Sequence, residues 1–156
     1  MFVDPSLDPL GAGYNLIQSK IAIGSGGLWG KGLFAGTQNT LQFLPMQHTD
    51  FVFSVIGEEL GFVGAVGVLL LFWAFLLRVL QVASSARDAF GSYLCVGVAS
   101  LVAFHVLVNV GMTVGLAPAT GIPLPFLSYG GTALVTHLAG VGLVLSVAVR
   151  RPKILF

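Results

Sequence analysis

Among the residues of this 156-residue sequence, Asp50 is the one best placed to do chemistry. It lies in Pro45-Met-Gln-His-Thr-Asp-Phe-Val-Phe-Ser54, where an apolar helical pattern begins, directly after His48 and Thr49. Spacing supports two roles. Thr49 or Asp50 can cap the helix by accepting hydrogen bonds from its free N–H groups. A carboxylate beside His48 can also act as a general base. Spacing alone favours the cap, and the roles are compatible. Glu58 and Glu59 follow at the start of a long apolar run. They read as favourable charge near a helix N-terminus, or with Asp50 as oxygen ligands for a divalent cation, Mg or Mn. Three converging oxygens are not visible in the sequence, so the metal stays the minor reading.

Other polar groups sit in or beside apolar segments. Gly24-Ser-Gly-Gly-Leu-Trp-Gly-Lys-Gly32 is rich in glycine but lacks the GxxxxGK[ST] spacing and a preceding strand, which argues against a nucleotide loop. Either a flexible loop holding Lys20 and Lys31 near lipid phosphates or an ordinary turn-rich loop fits it. His105, Asn109 and Thr113 recur every four residues and so share a helix face, the pattern of interhelical hydrogen bonding or of a polar cavity. Thr136 and Gly140 have small-xxx-small spacing, and His137 beside them reads as an interhelical partner. In Pro123-Leu-Pro-Phe-Leu-Ser-Tyr-Gly-Gly-Thr132, two prolines and two glycines predict a rigid, shaped loop whose Ser128, Tyr129 and Thr132 line whatever it encloses.

The elements that position these groups follow from composition. Hydrophobic residues make up 56% and charged residues 8% of the chain, with mean hydropathy +0.95. A soluble domain carries roughly 25% charged residues, so a soluble globule is excluded, and disorder with it. The net charge of +1 argues against a nucleic-acid partner. The single cysteine, Cys95, can form neither an internal disulfide nor a CxxC site. The chain reads as an all-α integral membrane protein. Three transmembrane helices are expected, near 60–80, 90–116 and 132–149, within a membrane region 60–156. A loop region, 1–59, precedes them and contains a short interfacial or re-entrant helix over Tyr14–Ile23. Arg78, Arg87, Arg150, Arg151 and Lys153 cluster at one set of helix ends, and most acids lie at the other. The positive-inside rule therefore places the C-terminus in the cytoplasm and residues 1–59 outside. Export of such a loop needs an upstream span, so the chain is expected to be the C-terminal part of a larger membrane protein.

Four segments then carry a family resemblance: Gly13–Leu28, Leu44–Phe53, Gly57-Glu-Glu-Leu-Gly61 and the Pro123–Thr132 loop. In this order they resemble the shape, elongation, division and sporulation (SEDS) proteins over about Asp8 to Arg151. Gly36–Leu44 looks more like the rod-shape branch, RodA, than the division branch, FtsW. The resemblance implies a multi-pass bacterial cell-membrane enzyme of about ten helices. Such enzymes polymerise lipid II, the undecaprenyl-pyrophosphate-linked disaccharide peptide, into peptidoglycan strands for cell elongation and rod shape. It places the family's essential extracellular aspartate on Asp50 and raises the base role above the cap. Substrate contacts are then expected from Lys20, Lys31, His48, Thr49, Ser128 and Tyr129. The implied partners are an N-terminal SEDS half, a class B penicillin-binding protein and membrane lipid. Met46 departs from the glutamate of many relatives. Transport of lipid II through the membrane-embedded polar groups, or a purely scaffolding role, are the competing functions.

Overall fold

The computed structural model describes residues 12–32, 50–118 and 120–150, so His48, Thr49 and Met46 lie outside the described residues. Helix α1 is Ala12–Ser25, α2 Val52–Ser84, α3 Ala89–Val114 and α4 Gly131–Val149. The described residues contain no strand. Helices α2, α3 and α4 are long and apolar enough to cross a membrane, and the protein is an all-helical integral membrane protein.

At 33 residues, α2 would be about 50 Å long if straight, well beyond a hydrocarbon layer of about 30 Å. It is not straight. Gly61 breaks it with φ 68° and ψ −166°, separating 52–60 from 62–84. Phe53 and Phe72, one on each side of the break, belong to a single core cluster with Val102, Val106 and Leu124.

Breaking a helix strands backbone groups that hydrocarbon cannot solvate. Here the glycine-rich stretch after α1 takes them up. Lys31 N donates to Glu58 O and Gly32 N to Glu59 O, both at 3.0 Å. In return, Phe62 N donates to Gly27 O at 2.9 Å and Val63 N to Leu28 O at 3.2 Å. The segment is thus neither slack nor an ordinary turn; it is a backbone partner for the break. Such an approach needs glycine on both sides. A Cβ on Gly30, itself at φ 77°, would collide with the Glu59 carbonyl, and one on Gly61 would collide with the Gly30 amide.

The helices pack through small residues. Val79 and Ala83 of α2, Cys95 and Ala99 of α3 and Val144 of α4 form one cluster. Gly140 lies so close to α3 that an added Cβ would be 3.3 Å from Val98 Cγ1. The other member of the small-residue pair, Thr136, turns its hydroxyl back to Thr132 O. Asp88 caps α3 by accepting from Gly91 N at 3.2 Å, and α3 ends on Gly115 in the left-handed conformation. Helix α1 is held from the side, where buried Ser19 donates to Thr113 O at 2.8 Å and so accepts from Ser54 Oγ at 2.6 Å. Thr113 O is one of the carbonyls a helix C-terminus leaves without an intrahelical donor.

Gly30→Ala should therefore destabilise the folded protein by about 1–3 kcal/mol. Gly24→Ala, whose Cβ meets nothing within 4 Å inside α1, should be neutral or slightly stabilising. Thermal unfolding of both variants in the same detergent checks the contrast.

Candidate functional site

Asp50 stands immediately before α2, half-buried. It is not the cap. The N-cap position belongs to Phe51, without a side-chain cap bond, and the first-turn amides of Ser54 and Val55 are taken by Phe51 O. The Asp50 carboxylate turns instead toward the loop between α3 and α4. There a Cβ on Gly121 (φ 68°) would stand 3.3 Å from Asp50 Oδ2. Among the described residues no hydrogen bond reaches that carboxylate. Its backbone, by contrast, is anchored, because Asn109 Nδ2 donates to Asp50 O at 2.9 Å and to Ile122 O at 2.7 Å.

The loop facing Asp50 is rigid, as its prolines and glycines imply. Leu124 and Pro125 are buried. Phe126 adopts φ 63°, a cost that persists only where the surroundings enforce it. Its ring lies 5.8 Å from that of Phe75, edge to face, and 5.5 Å from that of His137. His137 in turn meets His105 edge to face at 5.1 Å. The His105–Asn109–Thr113 stripe thus faces inward, though it bonds to backbone and packs on rings rather than pairing side chain to side chain. His137 is an interhelical partner by packing, without a hydrogen bond at Nδ1 among the described residues.

Between the first turns of α2 and the end of this loop lies an open, largely apolar groove of about 680 Å³. Val52, Val55 and Ile56 form one wall, and Leu127, Ser128 and Tyr129 the other. Ser128 Oγ accepts from Leu124 N at 2.8 Å, which closes the turn. Tyr129 is exposed. The fold thus brings a half-buried carboxylate, a rigid loop and an apolar groove to one end of the bundle.

Residues 1–153 match the cell cycle protein family that comprises FtsW, RodA and SpoVE. The chain belongs to this family. It is 50% identical over 151 residues to the peptidoglycan glycosyltransferase MrdB of Escherichia coli, covering 97% of the chain and 41% of that protein. It is 48% identical to the peptidoglycan glycosyltransferase RodA of Treponema pallidum, over 97% of the chain and 35% of the relative. Among solved structures, one of a peptidoglycan synthase complex superposes with a TM-score of 0.79 at 37% identity, over 97% of the chain and 40% of its counterpart. Thermus thermophilus RodA superposes at 0.64 with 45% identity, over 69% and 36%. The chain spans 41% and 35% of the length of the MrdB and Treponema pallidum RodA relatives.

Within this FtsW/RodA/SpoVE chain, no ion pair among the described residues joins either lysine to Asp50. The Lys20 side chain lies over Gly115, at the C-terminal end of α3, where a cation is favourable. Lys31 pairs with Glu58, Nζ to Oε1 at 2.8 Å. Glu58 is 1% exposed, in the last turn before the break, and not at a helix N-terminus as its place in the sequence suggested. A buried glutamate that needs a cation, with Lys31 in the one glycine stretch able to approach, is the signal that could have revealed the pair. Among the described residues no three His, Cys, Asp or Glu side chains gather as a metal site.

Lys31→Met should lower stability by an amount below the about 3–5 kcal/mol typical of breaking a fully buried pair, because the Lys31 side chain is 29% exposed. Adding Glu58→Gln should recover part of the loss. A double-mutant cycle by chemical or thermal unfolding measures the coupling.

Proposed function

We propose that this chain supplies the catalytic carboxylate of a peptidoglycan glycosyltransferase that polymerises lipid II, with Asp50 as general base. The observation that carries the reading is the Asp50 carboxylate itself. It is half-buried, takes no hydrogen bond among the described residues, and stands on an anchored backbone beside an apolar groove. Membership of a family whose curated relatives are named peptidoglycan glycosyltransferases supports it.

In this reaction the 4-hydroxyl of an acceptor sugar attacks the anomeric carbon of the growing strand. Asp50 takes the hydroxyl proton as the new C–O bond forms. The bond to the lipid pyrophosphate breaks, and the pyrophosphate leaves with its electron pair. One carboxylate is sufficient, because pyrophosphate leaves without an acid, unlike the leaving group of a two-carboxylate glycosidase. Ser128 and Tyr129 are the proposed substrate contacts, a reading supported by their position on the groove wall. The lysines would attract pyrophosphate by charge rather than by contact at Asp50, since Lys31 is already engaged by Glu58. The donor set does not fit a resident divalent cation, Asp50 being the one carboxylate at this place among the described residues. Mg2+ or Mn2+ would arrive with the pyrophosphate.

The charge distribution orients Asp50 to the outer face of the bacterial cytoplasmic membrane and the end of α4 to the cytoplasm. A class B penicillin-binding protein is the proposed partner, in keeping with the structural match to a peptidoglycan synthase complex. The family's N-terminal helices complete the enzyme. Transport fits less well, because the inward polar residues are engaged in holding the loop: Asn109 by its two hydrogen bonds and His137 by Phe126.

The test co-reconstitutes this chain with the N-terminal half of a family member and follows labelled lipid II. Asp50→Asn should reduce polymerisation by about 100-fold or more with assembly unchanged. Unchanged polymer length and yield would contradict the base role.

A further inference from the structure

Asn109 is fully buried in α3, yet its amide nitrogen serves two distant stretches of backbone. A carboxamide NH2 carries two protons. Here one goes to Asp50 O and the other to Ile122 O. The orientation of the amide is forced, since the reversed group would set its oxygen against two carbonyl oxygens. Asn109 Oδ1 has no hydrogen-bond partner among the described residues, so there the two donated bonds hold the side chain in this pose.

The two carbonyls flank the site from opposite sides. Asp50 O belongs to the backbone from which the carboxylate projects. Ile122 O belongs to the residue after Gly121, whose α-carbon faces Asp50 Oδ2. One side chain therefore fixes both the root of the carboxylate and the surface beside its oxygen. Among the described residues no hydrogen bond reaches the carboxylate, while the backbone beneath it is held by Asn109. Asn109 also lies more than a turn inside the C-terminal end of α3, a membrane-spanning helix, where water is a poor substitute for a lost donor.

We propose that Asn109 is a positioning residue for glycosyl transfer, a clasp that aims the Asp50 carboxylate at the acceptor hydroxyl by locking Asp50 against Gly121–Ile122. The proposal rests on the base role of Asp50. A base must come within about 2.6–3.2 Å of the proton it removes, and a displacement of about 1 Å can cost about 100-fold in rate. Asn109 bonds to none of the residues that line the groove, so loss of the clasp should act on the chemical step more than on substrate binding.

The test uses the reconstituted full-length assembly and initial rates over a range of lipid II concentrations, with Tm recorded for each variant. Asn109→Leu removes both donors at similar volume and should lower kcat about 10–100-fold with KM within about twofold of wild type. Gly121→Ala leaves Asn109 untouched but puts a methyl against Asp50 Oδ2, and it should lower kcat in the same manner. This second variant carries the test if Asn109→Leu does not assemble. In an Asp50→Asn background, adding either substitution should not reduce the residual rate further, although it shifts Tm as it does in wild type. A merely structural role would lower the rate by the same factor in both backgrounds. That result, or an unchanged kcat in the assembled variants while Asp50→Asn is inactive, overturns the clasp alone. Full activity of Asp50→Asn overturns the base reading and the clasp with it.

Discussion

Every peptide N–H and C=O placed in hydrocarbon must find a partner within the protein, and the architecture of this chain depends on how that demand is met where its helices are interrupted. A straight α2 would satisfy its own backbone. The break at Gly61 leaves Glu58 O, Glu59 O, Phe62 N and Val63 N without helical partners, and all four are matched by the segment 27–32. At the second interruption, after α3, Ser19 takes Thr113 O and Asn109 takes Ile122 O. The same amide takes Asp50 O. At this second interruption the repair of the backbone is thus also a contact that holds the candidate site.

Packing adds rigidity to the same region. Phe126 is held at φ 63° between Phe75 and His137, with Leu124 buried in the cluster of Phe53, Phe72, Val102 and Val106. Strain of this kind is stored where a fixed shape is needed. The loop therefore presents Gly121 to Asp50 and Ser128 to the groove from one rigid piece. A carboxylate that takes no hydrogen bond among the described residues is aimed well where its surroundings are fixed.

Much of this was legible in the sequence. Hydropathy alone gave three apolar helices, since a run such as Leu60–Leu77 without charge has few alternatives to a membrane. Local chemistry made the Pro123–Thr132 loop rigid, and four-residue spacing turned His105, Asn109 and Thr113 to one inward face. Long-range backbone pairing was not legible. Nothing local in Gly24–Gly32 indicates that it pairs with a helix break 30 residues later, and Gly61 reads as one more small residue in an apolar run. Spacing alone favours a cap at Asp50 for a related reason: an Asp ahead of a helix satisfies the pattern, while the carboxylate's neighbour, Gly121, comes from a loop 71 positions away. The joint glycine content of the two segments was the available clue.

The most direct measurement separates binding from bond formation at Asp50. Lipid II would be bound to the reconstituted assembly carrying Asp50→Asn, its affinity determined, and a single round of glycosidic bond formation then followed. If Asp50 is the base, affinity stays near that of the wild type and bond formation is lost. Bond formation at the wild-type rate from the bound complex, or a loss of activity explained entirely by weaker binding, would contradict it.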